Sequence, residues 1–315
     1  MASQTGQLSF ATRWWMYQAE RFPLGTHFPA IAFFFANAYF AAQALNGEKP
    51  LHLGFTGMLA FVNTFLTMLL LRVFDEFKDF EDDRVNHPDR VVQRGIVTLP
   101  ELSRLGGAIF AGMVVANVPL GWQAWVAFAA VLGWALLMRV EFFVPVWLKG
   151  HVFTYALTHQ GITPLIYIYL AVAAVGSVSE IPQTFWYAVV VAVGVGLCYE
   201  ISRKFRSPED ETPTLDTYTK RFGPIGASIV AFLCLLAACG GGLGLATELK
   251  LPGFAVGLLY GALLAGGFAY GKFASKPTAG NAKQVKNVAS AAIVLVNLSL
   301  VAGMIAALGV TFGGR

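Results

Sequence analysis

The sequence predicts an all-α integral membrane protein with nine transmembrane helices in a single membrane domain, residues 1–315. The chain is 56% hydrophobic and only 13% charged, with a mean hydropathy of +0.61. Apolar stretches of bilayer-spanning length recur along it. Lys and Arg cluster in alternate connections between these stretches, as the positive-inside rule requires of membrane helices.

The nine apolar stretches follow a polar start. Residues 1–28 contain Arg13, Trp14, Trp15, Tyr17 and Arg21, a composition typical of an amphipathic segment at the membrane interface. No cleavage site follows an apolar run there, so we expect no removable signal peptide. The predicted spans are 29–45, 54–74, 104–120, 122–138, 152–175, 183–201, 225–247, 252–271 and 288–312. The third and fourth are separated only by a turn at 119–121.

Charge predicts the orientation. With the N-terminus in the cytoplasm, only Lys49, Lys250 and Arg315 of the 22 Lys and Arg fall on the far side. The long polar loops 75–103 and 202–224 then both lie on the cytoplasmic side. We therefore expect an inner-membrane protein of a bacterium, with its N-terminus and polar loops in the cytoplasm. The net charge of +4 reports this orientation, and we expect no nucleic-acid partner.

The three cysteines predict neither a disulfide framework nor a zinc site. Cys198, Cys234 and Cys239 all lie within predicted spans, and the sequence contains no C-x-x-C pair. We expect them to be packing residues.

The first acidic segment, residues 75–83, carries six carboxylates in nine positions. If the preceding helix continues, Asp75, Asp79 and Asp83 lie on one face, because they are spaced four apart. Unpaired carboxylates on one face repel each other, so a hard divalent cation with oxygen ligands is the natural partner. The alternative is a solvated acidic loop after a membrane helix.

Arginines follow this segment at Arg84, Arg90 and Arg94. They fit two interpretations. One is a set of surface ion pairs worth about 0–1 kcal/mol each. The other is a site for a magnesium-bound polyphosphate, in which carboxylates hold the metal and arginines bind the phosphates.

The second polar segment, residues 199–211, also mixes acids and bases. Glu200 ends the sixth span, with Arg203 and Lys204 about one helical turn later and further acids at 209–211. Its predicted side is that of the first acidic segment, and two unrelated solvated loops need not share a side.

Within the spans, polar side chains are few. His159 and Gln160 lie in the fifth span and Asn63 in the second. Intramembrane polar residues are functional candidates, and His159 is placed to accept a proton from an acceptor or a cation. A helix-packing hydrogen bond accounts for each of them equally well.

These residues resemble the UbiA superfamily of intramembrane prenyltransferases. The run Asp75-Glu76-x-x-Asp79-x-x-x-Asp83 is similar to the family's first motif, N-D-x-x-D-x-x-x-D, and 90–95 resembles its R-P-x-x-x-G segment. The resemblance covers nearly the whole chain. It implies a bundle around a central cavity, capped by the two polar loops. It also implies Mg²⁺ as cofactor, with the metal ligands Asp75, Glu76, Asp79, Asp83 and Glu200.

In the first motif, Asp75 stands where the family has Asn and Glu76 where it has Asp, and the chain departs from the family pattern in three further places. Where the second motif is D-x-x-x-D, it has Glu200 and Lys204, so either Glu200 is a lone ligand beside a cation or the acids at 209–211 fold back. Val91 replaces the family's proline. A T-L-…-G ending is similar to Thr214, Leu215 and Gly223, but across a longer loop.

The implied reaction ionises an allylic C–O bond and must stabilise the departing diphosphate. Its predicted diphosphate-binding residues are Arg90, Arg94, Arg203, Lys204 and Lys220, and its predicted catalytic residues are His159, Tyr199 and Lys204. Aromatic faces would shield the carbocation. The candidates for this wall are Phe65, Tyr155, Tyr167, Tyr199 and Phe205.

The expected partners are an isoprenyl diphosphate, an aromatic or lipid acceptor, and membrane lipid. Transfer of the isoprenyl group to the acceptor is the leading expectation. Cyclisation of the chain, as in UbiA-type terpene cyclases, needs no acceptor and stays open. A transporter or a non-catalytic membrane scaffold is the remaining alternative, although a transporter is expected to carry ionisable groups near the bilayer midplane.

Overall fold

The protein, seen in a computed structural model that describes residues 8–212 and 216–313, is almost entirely helical. Its helices are α1 (Phe10–Arg21), α2 (Leu24–Leu45), α3 (Phe55–Lys78), α4 (Phe80–Asn86), α5 (Leu99–Asn117), α6 (Trp122–Arg139), α7 (Pro145–Lys149), α8 (Val152–Gln160), α9 (Ile162–Val175), α10 (Trp186–Ser202), α11 (Tyr218–Glu248), α12 (Gly253–Ser275) and α13 (Ala279–Leu308). Two short strands complete it, β1 (Leu51–Leu53) and β2 (Val310–Phe312).

Nine helical spans in the described ranges are long and apolar enough to cross a membrane, which confirms the predicted number. The first begins at Leu24, inside the predicted interfacial segment. The ninth ends at Leu308, because the chain then enters β2. The fifth span is interrupted at Gly161, where a Cβ atom would lie 2.6 Å from the Trp134 ring.

A parallel pair of strands fixes which ends of the helices lie together. Leu51 pairs with Val310, so the connection after α2 and the chain after α13 meet at one end of the bundle. The connections 79–98 and 140–151, with the described residues 203–212 and 216–217, lie at the opposite end, which we call the polar end. Among the described residues, α1 lies at the polar end and β2 at the other end of the bundle.

Buried amide and phenol groups join the helices across the bundle. The amide nitrogen of Asn63 in α3 donates to the hydroxyl of Tyr169 at 2.9 Å, and that hydroxyl donates to Asn117 at 3.1 Å. Asn37 donates to Asn297 at 2.9 Å. Such side chains pair across helices because the apolar surroundings offer no water. Asn63 therefore has the helix-packing role that the sequence left open.

The predicted interfacial segment forms α1, which packs on the polar end. The guanidinium of Arg13 donates to the carbonyl of Ile96 and to Glu101, both at 2.6 Å. Phe10 and Trp15 on the same helix are exposed. This arrangement brings Glu20 and Arg21, at the end of α1, against the first acidic segment.

The cysteines are free thiols. Cys198 and Cys239 are buried, and the Cys198 sulfur lies 3.0 Å from the hydroxyl of Tyr270. Their surroundings match the predicted packing role.

Candidate active site

The first acidic segment spans the junction of α3 and α4. The helix is interrupted at Asp79, so it is not continuous as the one-face prediction assumed. Hydrogen bonds of helical spacing still cross the break, because Asp79 N–H donates to the Asp75 carbonyl at 2.9 Å. Asp83 N–H likewise donates to the Asp79 carbonyl at 2.8 Å. The three aspartates therefore follow one another at nearly helical spacing.

Two carboxylates of this segment are held by arginines. Glu76 is 1% exposed and pairs with Arg21 at 2.6 Å and with Arg72 at 3.0 Å. Asp83 pairs with Arg90 and lies 3.4 Å from Arg21. Arg21 thus bridges the two carboxylates, and its pairing with Glu76 outweighs the effect of burial and raises the pKa of Arg21.

Asp75 and Asp79 are less compensated. Asp75 lies 3.3 Å from Lys78 and 3.7 Å from Arg72, and 41% of its side chain is exposed. The carboxylate of Asp79 has no hydrogen bond or ion pair within the described ranges. Burial raises the pKa of Asp79, and the charges of Asp75 and Asp83 add to this effect while Lys78 opposes it. A bound cation would relieve this excess negative charge.

The outer carboxylates of the segment make ordinary surface contacts. Glu81 pairs with Arg84 at 2.8 Å, and Asp82 with Lys149 at 2.7 Å, all with side chains about half exposed or more. Exposed pairs of this kind contribute roughly 0–1 kcal/mol. The solvated-loop interpretation describes these residues well.

A magnesium ion fits here only with help from a ligand. No three His, Cys, Asp or Glu side chains among the residues described are grouped closely enough to hold a metal ion by themselves. Magnesium commonly takes one or two carboxylates and completes its coordination with water and substrate phosphate oxygens. The under-compensated Asp79 beside Asp75 suits that kind of site better than a closed protein cage.

Residues 90–95 form a turn that follows the first acidic segment in the sequence. Gly95 has φ +70°, a conformation that glycine adopts without strain. Val91 stands where the family has proline, and its N–H donates to the Glu20 carboxylate at 3.2 Å. Proline has no N–H, so this contact with α1 accounts locally for the departure. Arg94 is exposed on the same turn.

In the second polar segment, the charged side chains pair with residues close to them in the sequence. Glu200 pairs with Arg203 at 2.5 Å and with Lys204 at 2.9 Å. Burial opposes the charged form of Arg203, but the charge of Glu200 outweighs it and raises the Arg203 pKa. The side chain of Arg203 is 45% exposed, so part of the guanidinium is accessible to solvent. Tyr199, one residue before Glu200, is half-buried.

The later acids of this loop do not fold back onto Glu200. Glu211 accepts hydrogen bonds from Thr217 and Thr219, both at 2.6 Å, and Asp210 accepts one from Ser207 at 2.6 Å. These contacts hold the loop. Lys220 is exposed and donates to the carbonyl of Thr212 at 3.1 Å.

Only part of the predicted T-L-…-G ending lies within the described residues. Thr214 and Leu215 lie outside the described residues. Gly223 is described, and its φ of +66° interrupts α11 just before Pro224.

The two segments meet at Tyr155 of α8. The Lys78 ammonium donates to the Tyr155 hydroxyl at 2.8 Å and lies 5.4 Å from the centre of its ring. The Lys204 ammonium also lies 5.4 Å from that centre. The two ammonium groups are therefore within twice that distance of each other, and both segments contact Tyr155.

A second cluster adjoins Tyr155. Its ring stacks on His159 with centroids 3.9 Å apart, and its hydroxyl donates to Glu141 at 3.3 Å. His159 Nε2 lies 3.6 Å from Glu141, and Lys78 lies 3.4 Å from the same carboxylate. Sequence reasoning missed Glu141. The signal available was an isolated acid directly after the fourth span.

Of the five predicted wall aromatics, Tyr155 alone is placed by these contacts between the segments. Phe65 packs on Phe22 and Phe28. Tyr167 is fully buried and contacts Asn37. Phe205 is also fully buried; it packs on Phe273 and Tyr270. These contacts give Phe65, Tyr167 and Phe205 packing roles.

The arrangement of helices is that of the UbiA-type membrane proteins, which confirms the fold that the resemblance implied. A structure of a digeranylgeranylglyceryl phosphate synthase superposes with a TM-score of 0.65 at 15% identity, covering 94% of this chain and 99% of the other. The apo structure of a UbiA homolog from Aeropyrum pernix K1 gives 0.65 at 19% identity, covering 87% and 97%. No protein-family model matches the chain, and no curated protein matches it in sequence. At these identities the likeness shows the fold.

Proposed function

We propose that this protein is an Mg²⁺-dependent membrane enzyme that transfers an isoprenyl group from an isoprenyl diphosphate to a lipophilic acceptor, aromatic or lipid. The observation that carries the proposal is that both charged segments contact the same side chain, Tyr155. The UbiA-type fold supports it, since one similar structure is of a digeranylgeranylglyceryl phosphate synthase.

The first acidic segment is proposed to hold the metal. Asp75, Asp79 and Asp83 supply carboxylate oxygens, with Asp79 the least compensated of the three. When bound, Mg²⁺ neutralises negative charge on the departing diphosphate. Asp83, Glu76 and Glu200 form ion pairs with basic side chains, so each of them binds the metal only if it exchanges those partners for the ion.

The second polar segment is proposed to bind the diphosphate directly. Within it, the single carboxylate of Glu200 pairs with two bases, Arg203 and Lys204, so these three side chains together carry an excess of positive charge. Guanidinium and ammonium groups form strong charge-assisted hydrogen bonds with phosphate oxygens. Arg90, Arg94 and Lys220 extend the basic surface of the polar end. Tyr199 and His159 are the further proposed catalytic residues.

An apolar groove offers room for an isoprenyl tail. It runs between α10 and α11, has a volume of about 570 Å³, and is lined by side chains that include Trp186, Val190 and Leu197. Leu197 precedes Glu200 by three residues, close to one helical turn. A tail lying in this groove would have its diphosphate end near the second polar segment. The polar end is proposed to face the cytoplasm, in a bacterial inner membrane.

The test is an assay of the purified protein in detergent or liposomes. Farnesyl or geranylgeranyl diphosphate is supplied with Mg²⁺ or with EDTA, in the presence and absence of a phenolic or lipid-alcohol acceptor. We expect release of diphosphate that depends on Mg²⁺ and an acceptor carrying the isoprenyl group. A cyclic product formed without acceptor would identify a terpene cyclase instead. No release of diphosphate under any condition would contradict both enzymes and favour a transporter or scaffold.

A further inference from the structure

Glu141 and His159 lie side by side, and each presents a hydrogen-bond acceptor atom to the other. His159 Nδ1 lies 2.9 Å from the carbonyl of Tyr155, so in the neutral ring Nδ1 carries the proton and Nε2 carries a lone pair. Nε2 lies 3.6 Å from Oε2 of Glu141. Both atoms are buried and have no hydrogen-bond partner within the described part of the chain.

Facing lone pairs repel, and a single proton between them turns the repulsion into a hydrogen bond. Buried polar atoms are almost always satisfied in folded proteins, and each exception requires an explanation. If the pair had only a structural role, both atoms would be expected to have hydrogen-bond partners in the resting protein. Glu141 and His159 can hydrogen-bond to each other only after one of them gains a proton.

Tyr155 connects this pair to the meeting point of the two charged segments. Its hydroxyl donates to Oε1 of Glu141 at 3.3 Å and accepts from Lys78 at 2.8 Å. The Lys78 ammonium also lies 3.4 Å from the Glu141 carboxylate. When the Tyr155 oxygen accepts a proton, the hydroxyl can therefore pass its own proton to Glu141.

The backbone at Glu141 is strained. Glu141, Phe142 and Phe143 have φ angles of +49°, +52° and +62°, in the left-handed region that non-glycine residues rarely adopt. Strain of this kind concentrates at functional sites. Here it accompanies a carboxylate that is 4% exposed, directly after the membrane helix α6.

Resting on the proposed function, we propose that Tyr155, Glu141 and His159 form a relay that accepts the proton released during isoprenyl transfer. The donor's C1–O bond breaks and its electron pair leaves with the diphosphate, while C1 bonds to the acceptor atom. The acceptor's proton passes to the Tyr155 oxygen as the proton of Tyr155 moves to Oε1 of Glu141. Rotation of the carboxyl group then brings this proton to Nε2 of His159. The relay returns it to solvent before the next turnover.

The experiment uses the assay described above and measures how much isoprenylated acceptor forms for each diphosphate released. The variants are Glu141→Gln, His159→Gln and Tyr155→Phe, the last of which keeps the ring and removes only the hydroxyl. We expect isoprenylated acceptor formed per diphosphate released to fall about 10²-fold in each, with prenyl alcohol formed by water accounting for the difference. The solvent deuterium isotope effect on product formation should also change.

Matched controls are His151→Gln and Glu180→Gln. His151 belongs to the same region and makes the same backbone contact, with Nδ1 2.7 Å from the carbonyl of Trp147, but it is exposed. We expect both controls to keep the wild-type ratio. A wild-type ratio and isotope effect in Tyr155→Phe and His159→Gln would overturn the relay while leaving the proposed function intact. Wild-type protein that releases no diphosphate would overturn the proposed function and the relay together.

Discussion

The two charged segments at the polar end obtain their partners in different ways. The first acidic segment has local partners such as Arg72 and also two from distant parts of the chain, since Arg21 is 55 residues from Glu76 and Lys149 is 67 residues from Asp82. In the second, Glu200 is paired by residues three and four positions later. The first segment keeps an excess of negative charge at Asp79, and the second keeps an excess of positive charge where Arg203 and Lys204 share Glu200.

This difference shows how the two segments divide the binding of one ligand. A negative segment suits a metal ion, and a positive segment suits phosphate oxygens. A metal diphosphate presents both groups together. The segments also differ in burial, because the side chains of Arg21 and Glu76 are 8% and 0% exposed, against 45% and 21% for Arg203 and Glu200.

The largest expected effect tests the metal assignment of the first segment. Asp79→Asn and Asp83→Asn remove one negative charge each with little change of shape. We expect Mg²⁺-dependent release of diphosphate to fall by about 10³-fold, as when an electrostatic contact to the transition state is lost. The control is Asp82→Asn, whose carboxylate makes only the exposed pair with Lys149. Unchanged turnover in both Asp79→Asn and Asp83→Asn would refute the assignment.

The next effect tests the difference in burial. Arg21→Met leaves Glu76 buried with Arg72 as its remaining partner, and we expect a loss of about 3 kcal/mol of unfolding free energy. Arg203→Met removes a more exposed partner and should cost less than about 1 kcal/mol. Thermal unfolding in one detergent measures both variants. Equal losses of unfolding free energy would show that the buried ion pair of Arg21 contributes no more to stability than the exposed ion pair of Arg203.

A third prediction tests the division between metal and phosphate. Lys204→Met removes a charge-assisted contact to the diphosphate and should raise the KM for the donor about 10-fold. Lys204→Asp creates two acids spaced four apart and should regain turnover at high Mg²⁺ concentration. Kinetics over a range of Mg²⁺ concentrations distinguish the variants. Equal responses to Mg²⁺ would show that position 204 does not substitute for a metal-binding acid.

The smallest expected effect concerns stability and pH. Burial raises the pKa of Asp79 above its ordinary value of 3.8, so the ionised carboxylate destabilises the metal-free fold at neutral pH. Asp79→Asn should therefore unfold at a higher temperature than wild type at pH 7 in EDTA. The difference should shrink as the pH falls through the raised pKa, and it should be absent below the ordinary value. Melting curves at several pH values check this, and a less stable variant at pH 7 would contradict it.

Much of the fold follows from local sequence. A run of about twenty apolar residues makes a membrane helix wherever it occurs, because an unpaired backbone polar group in lipid costs several kcal/mol. That rule was enough to find all nine spans. Their ends were less accurate, since the first helix begins at Leu24, after Pro23, and the ninth stops before β2.

The sequence by itself determined the fold class, the number of crossings and the two charged segments, because each depends on residues close together in the chain. Only the tertiary structure decided which charges meet. Arg21 pairs with Glu76, Tyr155 contacts both Lys78 and Lys204, and Glu141 faces His159. These contacts depend on how the helices pack and on a backbone turn with positive φ angles at 141–143. Such packing depends on side chains far apart in the chain, and it leaves no periodic pattern in the sequence.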